Sequence, residues 1–259
     1  MTKYLHVTRQ MIILQLQYKS FFIATLVSML VKILVSLFVW QTIFAAQSEV
    51  NGYDLTTFTT YIIFANLLNN LNSFGIGRDL ASSIIRGNIT GELLLPYSPI
   101  TALFFNDIGL KIIEAVKFLL VLIIIPLAHP NFYLPDAKTW GLFLLTSLLG
   151  MFMVQLMDLG FGLLSFYTVN TWGLLILREG IFNLSAGVLL PLSFYPAPIA
   201  KVLSFLPYSF AVNFPINILL GKEVDTNLFW LQLIWVPILA GLMYFLWQEA
   251  KKRLVIFGG

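Results

Sequence analysis

Cysteine is absent from these 259 residues, which excludes disulfides, Cys-ligated zinc and thiol catalysis together. Charge is scarce: Lys, Arg, Asp and Glu make up 10% of the chain, against roughly a quarter of a soluble globular protein. That is too little to solvate the exterior of a water-soluble domain. Histidine occurs only at His6 and His129, too far apart in sequence to argue for a metal site. No basic run exceeds Lys251-Lys252-Arg253, so the net charge of +3 speaks for orientation in a membrane and not for nucleic acid. The acids are scattered without HExxH or DxxD-type spacing, so no catalytic or metal residue is assigned and the chain is not expected to be an enzyme. A phosphate loop is missing as well. The one Gly-Lys pair, Gly221-Lys222, continues with Glu223 where Ser or Thr is required.

What the chain does have is apolar length. Hydrophobic residues make up 59% of it and mean hydropathy is +0.88. Apolar runs of about 20 residues, each enough to cross a hydrocarbon core roughly 30 Å thick, recur along it. The expectation is an all-α polytopic membrane protein with six transmembrane helices, near 21–46, 57–74, 108–128, 139–167, 174–192 and 228–247. Tyr4, Val7, Met11, Leu14 and Tyr18 recur at steps of three and four, which predicts an amphipathic helix over 1–20 lying on the membrane surface. A transmembrane domain over 21–248 and a basic tail over 249–259 complete the chain. Pro191, Pro196, Pro198, Pro207 and Pro215 cut 193–220 into pieces too short to cross, so a hairpin dipping into the outer leaflet is expected there.

Lysine and arginine set the orientation. With both termini cytosolic, the inner side receives nine (Lys3, Arg9, Lys19, Arg78, Arg86, Arg178, Lys251, Lys252 and Arg253) and the outer side three (Lys138, Lys201 and Lys222). This places both termini inside and calls for an even number of crossings.

Two ionisable residues stand inside apolar spans, where a charge is expensive and ordinarily faces the bundle or a cavity. Lys32 lies 13 residues beyond Lys19, about 20 Å along a continuous helix; it serves a solvated path or a helix contact, or it snorkels. Asp158 reads as an interhelical hydrogen-bond partner or as an ion-coupling acid. Asp107, Lys111, Glu114 and Lys117 are spaced to compensate one another along a helix.

The segment 75–99 differs from everything around it. Gly75, Gly77, Arg78, Asp79, Arg86, Gly87, Gly91, Glu92, Pro96 and Pro99 crowd into it, a composition no lipid-facing helix carries. Leu80, Ala81, Ile84 and Ile85 share one side of a short amphipathic helix, Arg86-Gly87-Asn88 stops it, and helix can restart from Ile89. A simple turn needs only a few residues, so the segment reads as a cytosolic docking element.

The string Ile84-Ile85-Arg86-Gly87-Asn88-Ile89-Thr90-Gly91-Glu92-Leu93-Leu94-Leu95-Pro96 resembles the cytosolic "I-x-x-G-x-I/L-x-x-x-L-L-x-P" stretch of ABC-2-type transporter permeases, the branch of roughly 260 residues. Asn51-Gly52-Tyr53, the proline-rich hairpin and the terminal Gly258-Gly259 are similar too. The resemblance implies a six-helix permease, both termini in the cytosol of a cell membrane, that exports its substrate. Its implied partners are a cytosolic ABC ATPase dimer and a second permease, either a dissimilar paralogue or a second copy; ATP would be bound by the partner and no cofactor by this chain. It also implies that 1–20 is a connecting helix, that 193–220 is the outer re-entrant hairpin, and that Arg78, Leu80, Ala81, Ile84, Ile85, Arg86, Gly87 and Leu94 couple the permease to the ATPase. An ion-coupled secondary transporter working through Asp158, an intramembrane enzyme and an assembly factor are the alternatives.

Overall fold

The computed structural model describes residues 2–73, 75–128, 135–168, 170–222 and 224–257. Phe74, His129, Glu223, Gly258 and Gly259, each used above, lie outside the described residues. Helices carry almost all of the rest, as backbone groups within a hydrocarbon core must be satisfied inside their own segment.

Helix α1 (Thr2–Gln17) ends at Tyr18, whose non-helical backbone (φ −91, ψ 61) starts α2 (Lys19–Ala46). The apolar stripe of α1 serves only in part. Tyr4, Val7 and Met11 are half-buried, whereas Leu14 and Tyr18 are exposed. The reason is a close crossing with α6 (Pro99–Ala128): a Cβ at Gly109 would stand 2.9 Å from both the Thr8 carbonyl oxygen and Met11 Cβ. The Thr8 hydroxyl donates to the Phe105 carbonyl at 2.7 Å. Helix α1 therefore packs on the chain's own α6 through its N-terminal half.

The polar loop after α2 is a two-residue hairpin, β1 (Glu49–Val50) paired antiparallel with β2 (Tyr53–Asp54). Asn51 and Gly52 take positive φ (50 and 77) at its tip, the backbone that a type I′ turn demands and that Asn-Gly supplies readily. Asp54 then caps α3 (Leu55–Leu71), its side chain accepting from the Thr57 amide at 3.2 Å. Helix α3 is the hub, packed by α2, α6 and α10 (Asn213–Leu219), with ten of its 17 residues buried.

Segment 75–99 forms α4 (Ile76–Ile85), a left-handed Gly87 (φ 73), and α5 (Asn88–Leu93). Helix α6 starts at Pro99, nine residues before the span expected from hydropathy, and so carries Asp107 into the bundle on continuous helix. Asp136 caps α7 (Ala137–Leu163), and α8 follows (Thr171–Ser185). The fifth expected span, 174–192, is shorter as helix. It stops at Ser185 because Gly187 turns at φ 84, held by the Tyr61 hydroxyl on its carbonyl at 2.7 Å and by the Asn213 amide on Ala186 O at 2.9 Å. The proline-rich segment is in pieces, as expected: α9 (Ala197–Phe205), α10, and 3-10 turns at Leu192–Phe194 and Pro207–Ala211. Helix α11 (Thr226–Phe257) runs through the basic stretch, so that stretch is no separate tail but the end of the last helix.

Among the described residues, three helical segments are long and apolar enough to cross a membrane by themselves: Lys19–Ala46, Ala137–Phe166 and Thr226–Lys252. Helix α6 has the length but carries Asp107, Lys111, Glu114 and Lys117; α3 and α8 have 17 and 15 residues.

Candidate functional site

Helix α4 sits across the end of α7, and glycine lets it sit close. A Cβ on Gly77 would lie 2.4 Å from the Asp158 carbonyl oxygen, and one on Gly162 would lie 2.8 Å from Gly77 Cα. The Gly77 amide, in the first turn of α4, donates to Asp158 Oδ2 at 2.9 Å, where an acid also meets the positive end of the helix dipole. Asp158 Oδ1 pairs with Arg178 Nε of α8 at 3.0 Å. One carboxylate thus ties the start of α4 to α7 and α8.

A second ion pair adjoins it. Asp107 and Lys111, one turn apart on α6, approach to 3.8 Å. Gln155, one turn from Asp158 on α7, donates to Asp107 Oδ2 at 2.6 Å. The Lys111 ammonium donates to the Ser73 carbonyl, beyond the end of α3. All four ions are buried, Arg178 completely, and they enclose no space for a water molecule. Two acids and two bases balance one another's charge; breaking such a pair from one side leaves an uncompensated buried charge, at about 3–5 kcal/mol.

The docking candidates divide by face. Leu80 and Ala81 turn inward onto α7 and are buried at 0% and 3% exposure, with Ile84 packed beside them. The expectation that Leu80 and Ala81 meet a partner is therefore corrected: the amphipathic face of α4 is its inner face. Arg78, Ile85, Arg86, Gly87 and Leu94 point outward, Leu94 at 88% exposure. Ile85, Leu93, Leu94 and Leu95 expose apolar side chains where the chain emerges from α4 and α5. The Ser83 hydroxyl donates to Glu92 Oε1 at 2.7 Å and staples α4 to α5. Burial raises the pKa of the Asp79 carboxyl at the start of α4; Arg78 opposes the shift, and Asp107 and Asp158 reinforce it.

The far end of this element is braced by α1. The Tyr4 ring stacks on Phe105 at 5.2 Å and meets Tyr97 edge-on at 6.1 Å, and its hydroxyl accepts from the Ser98 amide at 3.1 Å. Segment 75–99 is thereby clamped at its start by Asp158 and at its end by Tyr4.

Of the two intramembrane candidates, Asp158 is the hydrogen-bonding interhelical partner and lies in the cluster. Lys32 does not. It is exposed halfway along α2. Arg178, counted above as a loop residue, is instead buried within α8, which leaves eight basic residues against three in the orientation count. Gln155 and Gly77 were also missed. The available signal was an acid in the fourth span and a base in the fifth, with Gln155 and Asp158 three apart on one helix face.

The ABC-2 family transporter protein model matches residues 30–258. The chain belongs to that family. No curated protein matches it. With its long apolar helices, this member of the ABC-2 family is a multi-pass membrane protein and the membrane component of a transporter.

Proposed function

We propose that the chain is the permease subunit of an ATP-driven exporter in the cytoplasmic membrane. It crosses the bilayer six times, through α2, α3, α6, α7, α8 and α11, with both termini and segment 75–99 in the cytosol. The β1–β2 hairpin and the pieces from 192 to 219 face outward as the re-entrant hairpin. A cytosolic ATPase dimer binds and hydrolyses ATP; this chain needs no cofactor of its own and supplies half of a substrate path completed by a second permease.

The observation that carries this reading is the tether of α4. Ile85, Arg86, Gly87 and Leu94 offer an outward apolar and basic surface to the ATPase, while Leu80 and Ala81 on the opposite face lock α4 to α7. Asp158 binds Gly77 on one side and Arg178 on the other. Displacement of α4 by the ATPase is then passed to α6, α7 and α8 together and is not absorbed by a loose loop, as rigid-body rearrangement between two access states requires. The pairing of Asp158 with Arg178 favours this over an ion-coupled carrier, in which the acid would have to be free to exchange its ion.

Purification of the tagged chain from its native membrane in mild detergent tests the proposal. The expected result is recovery of an ATPase, and its loss with Ile85→Glu combined with Leu94→Glu. Recovery of an intact chain without any ATPase would overturn it.

A further inference from the structure

The outward side of α4 carries more than a docking surface. Arg78, Ser82 and then Ile85 and Arg86 recur at steps of three and four, so they share one side of the helix, opposite buried Leu80. Together with Thr171 and Leu175, one turn apart at the start of α8, they line a cavity of about 240 Å³. The two arginines are both exposed and stand about 12 Å apart along the axis, with Ser82 between them in sequence.

The charge on this cavity is positive. Among the described residues no Asp or Glu lines it. Arg78 Nε lies 3.8 Å from Oδ1 of the adjacent Asp79, but the arginine side chain is 63% exposed, and an exposed pair of that length contributes little. Arg86 has no acid paired with it among the described residues. The start of α8 adds the positive end of a 15-residue helix dipole, and Ser82 and Thr171 add hydroxyls. Two planar guanidinium forks, each able to hold two oxygens, with hydroxyls beside them, suit a phosphate.

The surroundings of the cavity say where that phosphate comes from. Tyr167 and Trp172, flanking the start of α8, are 53% and 74% exposed; such aromatics settle at the boundary between headgroups and hydrocarbon. Further along α8, Ile176 and Leu177 are exposed and apolar, and Ile85 and Leu175 line the cavity itself. An apolar strip thus leads from a basic cavity onto the outside of a helix. A soluble anion would use the arginines alone. A phospholipid uses both surfaces, its headgroup on the arginines and its acyl chains on the strip.

We infer that this cavity binds the headgroup phosphate of an anionic phospholipid, and that the lipid bridges α4 to α8. Anionic lipids are drawn from the cytosolic leaflet, where basic pockets between helices hold such headgroups. The inference rests on the permease reading in that it places this end of the bundle at that leaflet. Ile85 and Arg86 also belong to the surface offered to the ATPase, whereas Arg78, Ser82 and Thr171 belong to the cavity alone. The lipid therefore lies beside the docked partner and holds α4 from its flank.

Mass spectra of the intact, detergent-solubilised chain, titrated with phosphatidylglycerol, phosphatidylcholine or inorganic phosphate, test the site. The expected result is one phosphatidylglycerol held about tenfold more tightly than phosphatidylcholine, with the preference lost when Arg78→Gln is combined with Arg86→Gln. Lys251→Gln with Lys252→Gln, which removes the same charge at the end of α11, should leave the preference unchanged. In vesicles of equal parts phosphatidylglycerol and phosphatidylcholine the parent chain should melt at a higher temperature than in phosphatidylcholine alone. The arginine variant should melt alike in both, and a Tm matching the parent's in phosphatidylcholine shows that it is folded. No preference for phosphatidylglycerol, a preference that survives in the arginine variant, or one that falls equally in the lysine variant would each overturn the site. Inorganic phosphate that displaces phosphatidylglycerol at equal concentration would assign the cavity to a soluble phosphate and overturn the lipid. A chain that keeps the lipid through these arginines but recovers no ATPase supports the site and sinks the exporter. One that recovers the ATPase without preferring the anionic lipid sinks the site alone.

Discussion

The two ends of the helix bundle are held together by different forces. At the α4 end, Asp107, Lys111, Asp158 and Arg178 are buried and joined by ion pairs and by hydrogen bonds through Gln155 and Gly77. At the hairpin end, Trp40, Tyr53, Phe58 and Phe194 pack ring on ring at 4.4 to 5.9 Å, and neutral hydrogen bonds link Tyr61 to Gly187 and Tyr53 to Asn217. Ion pairs in a dry interior hold one geometry and are costly to open halfway. Aromatic pairs contribute about 0.5–1.5 kcal/mol each beyond their burial and can repack. Under the proposed function, the difference suits one end to transmit a displacement and the other to yield to it.

The largest effect expected from breaking this contrast is at Asp158. Asp158→Ala leaves Arg178 charged and buried and should cost about 3–5 kcal/mol, read as a lowered Tm of the detergent-solubilised chain. Asp158→Leu with Arg178→Met, which removes both charges at similar volume, should recover most of that loss. If the single and double variants are equally destabilised, packing and not charge holds this end. Next is Gly77→Ala, whose new methyl meets the Asp158 carbonyl oxygen at 2.4 Å. Overpacking of this kind costs about 1–3 kcal/mol, and an unchanged Tm would show that α4 is not seated on α7 as described.

The hairpin end should respond less. Tyr61→Phe removes a hydroxyl that donates to Gly187 O at 2.7 Å, a loss of about 1 kcal/mol by the net worth of such bonds. A loss as large as that of Asp158→Ala would erase the contrast. The smallest effect is a titration. The Lys222 ammonium lies 2.9 Å from the Tyr53 ring centroid and donates to the Gly52 carbonyl at 3.1 Å. Burial lowers its pKa to about 8 from 10.5, with Asp54 and Glu49 opposing. Between those two values the unfolded chain holds the proton and the folded chain does not, so stability rises with pH across that window. Acylation of Lys222 should accordingly show a midpoint near 8, and an ordinary lysine midpoint would place it in free solvent.

Much of the fold was legible because hydropathy, proline and glycine act locally. The long apolar runs predict α2, α7 and α11, the proline series predicts the broken segment 193–220, and Gly87 marks the stop between α4 and α5. The candidate site was legible in outline only. Segment 75–99 stood out by composition, but whether Leu80 faces a partner or α7 depends on Gly77 and Gly162 touching across 85 residues of sequence, which no local pattern encodes. Arg178 was misplaced for a related reason. A basic residue seven positions into a helix resembles a loop charge until Asp158 is found opposite it. Helix α8 was overextended because residues 186–192 are apolar, while the turn at Gly187 is dictated by Tyr61 and Asn213 from distant parts of the chain.

The central claim is that motion of α4 reaches the far end of the bundle through Asp158. It is tested most directly by labelling Lys201→Cys on α9 with an impermeant thiol reagent, in membranes holding the chain with the ATPase that the proposed function calls for, with and without ATP. The account predicts that ATP changes the labelling rate, and that the change is lost in the Asp158→Leu, Arg178→Met background while the ATPase still co-purifies. An ATP response that persists undiminished in that background would contradict it.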